Sequence, residues 1–163
     1  MSRRRRTRED DSIVMGPEAE IGVSWPFVKT MIVLEEVEST SDRAAHLVRS
    51  GDVALPLCVW ARRQTRGRGR GTRSWWSDSG SMTFTLAIDP EAHGLVCESE
   101  PKLALATAVA VIEALAELGF GSPALGIRWP NDLEAGGRKL GGILPERVET
   151  DHGRRVLIGA GNG

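Results

Sequence analysis

The sequence predicts an α+β fold with a mixed, largely antiparallel sheet flanked by two helices. Three observations carry this. Short apolar, β-branched runs recur in the order β, α, β, β, α, β, β, β, which mixes hairpins with two helices. Only two segments hold a helical pattern with start and stop signals. The 163 residues, 40% of them apolar, suffice for one real core but not for two.

The elements follow in order. Residues 1–28, opening "MSRRRRTREDD", have no apolar periodicity and carry Gly16, Pro17, Gly22 and Pro26, so they read as a disordered basic and acidic leader. Residues 29–163 read as one domain. "MIVLEEV" (31–37) is the first strand. In "ESTSDRAAHLVRSG", Ser39 or Thr40 caps a helix whose apolar face is Ala44, Ala45, Leu47 and Val48, and Gly51 stops it. "LPLCVWA" (55–61) is a strand that runs into an Arg/Gly loop. In "SMTFTLAI" (81–88), alternation places Met82, Phe84, Leu86 and Ile88 on one face.

"PKLALATAVAVIEALAEL" (101–118) is the second helix, ending at Gly119; it is apolar over most of its circumference and is expected to pack inside the domain. "LGIRW" (125–129) is a short strand, "PNDLEAGGRK" a turn or hairpin region, and "LGGILPERV" (140–148) a strand. Pro145 within that last segment points to an edge strand or a bulge. "GRRVLIGAG" (153–161) is the final strand. Because "LIGAGNG" stops directly after it, the natural domain is expected to continue.

Composition narrows the function classes. A net charge of −1 gives no general attraction to nucleic acid or membrane, so any anion binding is local. No run approaches the ~18 apolar residues of a spanning helix, and no apolar segment follows the basic N-terminus as in a secretory signal. Cys58 and Cys97 read as plain thiols in a reducing cytoplasm. His46, His93 and His152 lie apart, and neither a zinc site nor a nucleophilic triad is indicated.

Three segments can carry chemistry. "RQTRGRGRGTRSWW" (63–76) alternates glycines, which admit close backbone approach, with arginines, whose forks fit carboxylate and phosphate oxygens. A disordered RNA-binding segment has similar composition. The strands that bracket this one favour an ordered ligand loop. In "RWPNDLEAGGRKLGGILPE" (128–146), Asp132 and Lys139 are expected to face each other across a hairpin, or merely to close a turn. "ESTSD" (38–42) is a helix start whose hydroxyls and free N–H groups also suit a ligand.

Together and in this order, these segments and the terminal "GAGN" (159–162) resemble the catalytic domain of biotin protein ligases. That family's pattern runs ST(N), QTxGRGRxGRxW, KWPNDxxxxxxKLxGIL(V)E and GxGxN. Four departures stand out: Ser41 for Asn, Thr72 for Gly, Arg128 for Lys, and Asn162 one residue early. The resemblance implies a fold like that of class II aminoacyl-tRNA synthetases. It also implies two-step chemistry, in which biotin and ATP with Mg²⁺ give biotinoyl-5′-AMP and a lysine of a biotin carboxyl carrier domain then takes the biotin.

It further implies roles for single residues. Lys139, Arg70 and Asp132 would be catalytic, with Asp132 orienting the amine or holding Mg²⁺. Ser39, Thr40, Ser41, Gln64, Arg68, Gly69, Arg70, Lys139 and Gly142 would bind biotin. Arg70, Trp75, Asn131 and Asn162 would bind ATP. A lipoate–protein ligase is the nearest alternative, although its RRxSGGGAVYHD-type segment has no match here. An Arg/Gly-loop RNA-binding module is the alternative from another class.

Overall fold

The computed structural model describes residues 26–78, 80–95, 100–120 and 125–162. The leader therefore lies almost wholly outside the described residues, as does Cys97. Strand β1 (Thr30–Val37) leads into helix α1 (Thr40–Ser50), which returns to β2 (Leu57–Gln64). The two strands pair in parallel, Ile32 opposite Val59, with α1 as the crossover. Ser39 caps α1, its Oγ accepting from Asp42 N at 3.3 Å, and Gly51 ends it at φ 74°. Both ends are as the sequence indicates.

A two-residue hairpin follows, β3 (Gly67–Arg68) against β4 (Ser74–Trp75), and then β5 (Thr83–Ile88). Helix α2 (Glu100–Leu115) continues into a π-helical turn, Ala116–Phe120. Strands β6 (Leu125–Arg128), β7 (Asp132–Ala135), β8 (Arg138–Thr150) and β9 (Gly153–Asn162) complete the chain. Among the described residues, seven strands form one sheet in the order β1-β2-β5-β9-β8-β7-β6, antiparallel apart from the β1–β2 pair.

Alternation along the strands divides the core. Ile32, Leu57, Val59, Ala87 and Leu157 pack with Ala44, Ala45 and Val48 of α1. Ile88, Leu133, Ile143, Val156 and Ile158 pack with Ala104 and Ala108 of α2. The helices thus cover opposite sheet faces.

The alternation over 81–88 holds, and two other expectations change. On β5 the better-buried residues are Thr83, Thr85 and Ala87, because α1 lies over that face; Met82 is half exposed. Helix α2 does not sit inside the domain: Ala104 and Ala108 face the sheet while Leu105 and Val109 are exposed. Small alanines let α2 approach the sheet, and nothing in this chain's described residues covers the outer side. By length and composition Lys102–Phe120 also passes as a membrane span, contrary to the estimate from sequence, yet one side of it is packed on this sheet.

The edge signal from Pro145 holds locally. Strand β8 is internal, but β7 pairs it only as far as Gly142, and Asn131 O accepts from Ile143 N at 2.8 Å. Two residues on, the N–H side at Pro145 faces the open edge beyond β7, where no ladder donor is needed.

Cys58 lies in β2, and burial pushes its thiol pKa up to about 11. It is therefore expected to resist iodoacetamide at pH 7.5 and to react appreciably only above about pH 10 in the folded state. Rapid alkylation at pH 7.5, followed by mass spectrometry, would contradict the desolvation of this half-buried thiol.

Candidate active site

A cleft of about 540 Å³ opens where the N-terminus of α1, the β3–β4 hairpin, the starts of β7 and β8 and the end of β9 converge. Its floor follows from register. Ala61, Thr83, Gly161, Gly142, Asp132 and Arg128 form one transverse row across six strands. Two glycines in mid-row leave the sheet bare, and the Trp75 indole lies over them. A Cβ at Gly142 would stand 3.1 Å from the Trp75 ring, and one at Gly161 would stand 3.0 Å from Trp75 Nε1.

Lys139 reaches this face through a bulge. Asp132 pairs with Gly142 and Leu133 with Gly141, but Glu134 pairs with Lys139, so Leu140 has no opposite partner. In a regular strand, residues 139 and 142 would point to opposite faces. The extra residue brings Lys139 round beside Asp132. The β7–β8 turn is Gly136–Gly137, with φ of 58° and 74°, which side chains rarely adopt. Lys139 Nζ lies 2.7 Å from Asp132 Oδ1 and 4.9 Å from the Trp75 ring centroid. The expected juxtaposition across the hairpin is present.

The Arg/Gly segment is ordered. Gly67 pairs with Trp75, and Gly69 N donates to Arg73 O at 2.7 Å. Arg68 is already satisfied by protein carboxylates: its Nη atoms donate to both Glu146 oxygens at 2.6 and 2.7 Å, and Nε lies 3.1 Å from Asp42 Oδ1. The Glu146 hydrogen bond, foremost, raises the Arg68 pKa above its ordinary value. Arg68 thereby ties the hairpin to α1 and β8. Arg70 and Arg73 line the cleft with no ion-pair partner among the described residues.

At the other end, Ser39, Thr40 and Ser41 are buried at the start of α1, and Gln64 Oε1 accepts from Thr40 N at 2.7 Å. Of the residues singled out from sequence, Ser39, Thr40, Ser41, Gln64, Arg68, Gly69, Arg70, Trp75, Asn131, Asp132, Lys139 and Gly142 all line this one cleft. Asn131 does so with its Nδ2 committed to Ile143 O at 3.0 Å. Asn162 is not brought in. Its Oδ1 accepts from Met82 N at 2.5 Å and its N donates to Met82 O, fastening β9 beside the start of β5.

Sequence reading missed Arg73, Trp76, Trp129 and Gly161, which also line the cleft, and Thr85 behind it. The G-x-G spacing at 159–161 on a strand was the available signal for the bare floor.

Chemically, the cleft sets cations and glycine-rich backbone at one end against hydroxyl and amide groups at the other. That suits a ligand with an anionic part and a neutral polar head.

Comparison with known proteins agrees. The family model for the biotin/lipoate A/B protein ligase family matches residues 33–162. The bifunctional ligase/repressor BirA of Bacillus spizizenii is 32% identical over 147 residues, covering 88% of this chain and 43% of that protein. The biotin–[acetyl-CoA-carboxylase] ligase of Paracoccus denitrificans is 35% identical over 130 residues, covering 79% and 52%. Among solved structures, the Aquifex aeolicus biotin protein ligase in complex with biotin and ATP superimposes with TM-score 0.68 at 30% identity, covering 82% of this chain and 51% of that one. The chain thus spans about half the length of the relatives it matches. With the fold, the motifs and the cleft in agreement, the chain belongs to the biotin/lipoate A/B protein ligase family.

Proposed function

We propose that this chain is a biotin protein ligase domain, which activates biotin with ATP and passes it to a lysine of a biotin carboxyl carrier domain. The observation that carries the reading is the convergence of Arg70, Arg73 and Lys139 with the serine–threonine end of α1 in one cleft. In the first step a biotin carboxylate oxygen attacks the α-phosphorus of ATP, and the bond to the β-phosphate oxygen breaks to release pyrophosphate. In the second, the carrier amine attacks the acyl carbon. A C–N bond forms, AMP leaves with the C–O electron pair, and the amine sheds a proton.

Both steps build negative charge beside other anions, so fixed cations are the main catalytic requirement. Lys139 serves it at the acyl-phosphate and Arg70 at the phosphates, with Arg73 as a further cation on the same hairpin. Arg68 then contributes chiefly by holding the hairpin in place. Asp132 holds the Lys139 ammonium. The reaction belongs to the cytoplasm, where ATP is supplied.

The residues do not fit a dedicated magnesium site. Asp132 is the one carboxylate among the described lining residues, it is bound to Lys139, and no group of three metal-ligating side chains occurs among the described residues. Magnesium would instead arrive on ATP.

The test is to incubate the protein with ATP, Mg²⁺ and either biotin or lipoate, then identify the adenylate by mass. Biotinoyl-AMP is expected. Lipoyl-AMP alone would shift the reading to a lipoate ligase. Neither adenylate, together with steeply salt-dependent RNA binding, would favour the RNA-binding alternative.

A further inference from the structure

Behind the cleft, four polar side chains form a chain of hydrogen bonds: Ser41 Oγ to Thr85 Oγ1 at 3.1 Å, Thr85 Oγ1 to Thr40 Oγ1 at 2.9 Å, and Thr40 Oγ1 to Gln64 Oε1 at 3.0 Å. Thr85 is fully buried on β5 and does not line the cleft. We propose that Thr85 is a positioning residue, one that carries the donor direction fixed at Gln64 across to Ser41 and so leaves the Ser41 hydroxyl an acceptor toward the cleft.

The direction follows from one fixed point. The Thr40 backbone N–H, 2.7 Å away, can only donate, so the Gln64 atom facing it is the amide oxygen. That oxygen cannot donate, so the Thr40 hydroxyl gives it its single proton. Thr40 must then accept from Thr85, whose proton is thereby spent. Ser41, in turn, must donate to Thr85. All three hydroxyl protons are committed inward.

What remains for a ligand is the opposite polarity at each end. Ser41 offers lone pairs only, and Gln64 offers the N–H groups of Nε2. Reversing or breaking the chain would let Ser41 turn a proton into the cleft. Water cannot readily replace Thr85 at so buried a place. Gly159 keeps the Ser41 end open, since a Cβ there would lie 3.0 Å from Ser41 Oγ. Together the two ends favour a neutral head that presents an N–H to Ser41 and an acceptor to Gln64. The consequence for biotin rests on the proposed function; the hydrogen-bond direction does not.

The test compares Thr85→Val, which keeps the shape but lacks the hydroxyl, with Thr85→Ser, which keeps the hydroxyl. Biotin and ATP affinities are measured by calorimetry, and the Ser41 side-chain resonances are followed by NMR without ligand. Thr85→Val is expected to weaken biotin binding ~10-fold or more while ATP affinity stays within ~2-fold, as for a neutral ligand hydrogen bond mis-set. Thr85→Ser should restore affinity, and the Ser41 side-chain signals should move in the valine variant and return in the serine one.

Unchanged biotin affinity in Thr85→Val, or a serine variant as impaired as the valine one, would overturn the proposal. If the wild-type protein bound no biotin, the functional reading would fail. The ligand-free Ser41 signals would still decide the chain: unmoved signals reject it and moved signals support it.

Discussion

Replacing Lys139 by alanine is expected to reduce biotin-dependent adenylate formation by ~10²–10³-fold, the usual cost of removing one preorganised group that stabilises developing charge. The fold should survive. Lys139 is on a hairpin, its side chain is 43% exposed, and its one ion pair among the described residues is with Asp132. Partly exposed pairs of this kind contribute little to stability. Lys139→Met, which keeps most of the stem over Trp75, should be nearly as inactive as the alanine variant, because charge rather than packing is at stake. Circular dichroism and pyrophosphate release, measured on the same samples, separate the two effects. Near-normal pyrophosphate release from either variant would remove Lys139 from the chemistry.

Gly67→Ala is expected to be the second most damaging change. A Cβ there would lie 2.8 Å from Trp75 O, 3.0 Å from Gln64 Nε2 and 3.2 Å from Trp75 Cβ. The carbonyl belongs to the paired β3–β4 hairpin, so it cannot swing aside as a flexible side chain would. The hairpin must shift, and it carries Trp75, Arg68 and Arg70. Small misplacements of binding groups cost ~10²-fold in rate, so a loss of ~10–100-fold in activity is expected. Stability should change little, since the hairpin stands outside the seven-stranded sheet. Gly71→Ala is the comparison: its φ is 68°, so alanine meets backbone strain there, but nothing lies within 4 Å to collide with. Steady-state rates for the two variants check the contrast; equal losses would show that loop flexibility rather than close approach is what matters.

Much of the fold was legible because its signals are local. The Ser39 cap, the Gly51 stop and the strand runs each depend on a few neighbouring residues, and they appear where expected. What could not be read depends on which element lies over which. Alternation in 81–88 was visible, but only the placement of α1 makes Thr83 and Thr85 the buried side. The apolar girth of α2 suggested burial, yet only one side of it, through Leu103, Ala104, Ala108, Val111 and Ile112, packs on the sheet.

At the site, the Asp132–Lys139 pairing could be foreseen from hairpin spacing. The bulge at Leu140, which brings Lys139 onto the cleft face, could not, because nothing local distinguishes it from a regular strand. Likewise, arginine content announced an anion site, but the tie between Arg68 and Glu146, 78 residues apart, is a product of the tertiary fold. On the proposed function, that tie moves the cationic role toward Arg70 and Arg73.

The claim on which the rest depends is that this cleft joins a biotin carboxylate to the α-phosphate of ATP. Isotope exchange between labelled pyrophosphate and ATP reads that step alone, without any carrier protein. The wild-type chain should catalyse exchange only when biotin is present, and Lys139→Ala should lose it. Exchange that ignores biotin, or none at all from a folded chain that binds both biotin and ATP, would contradict it.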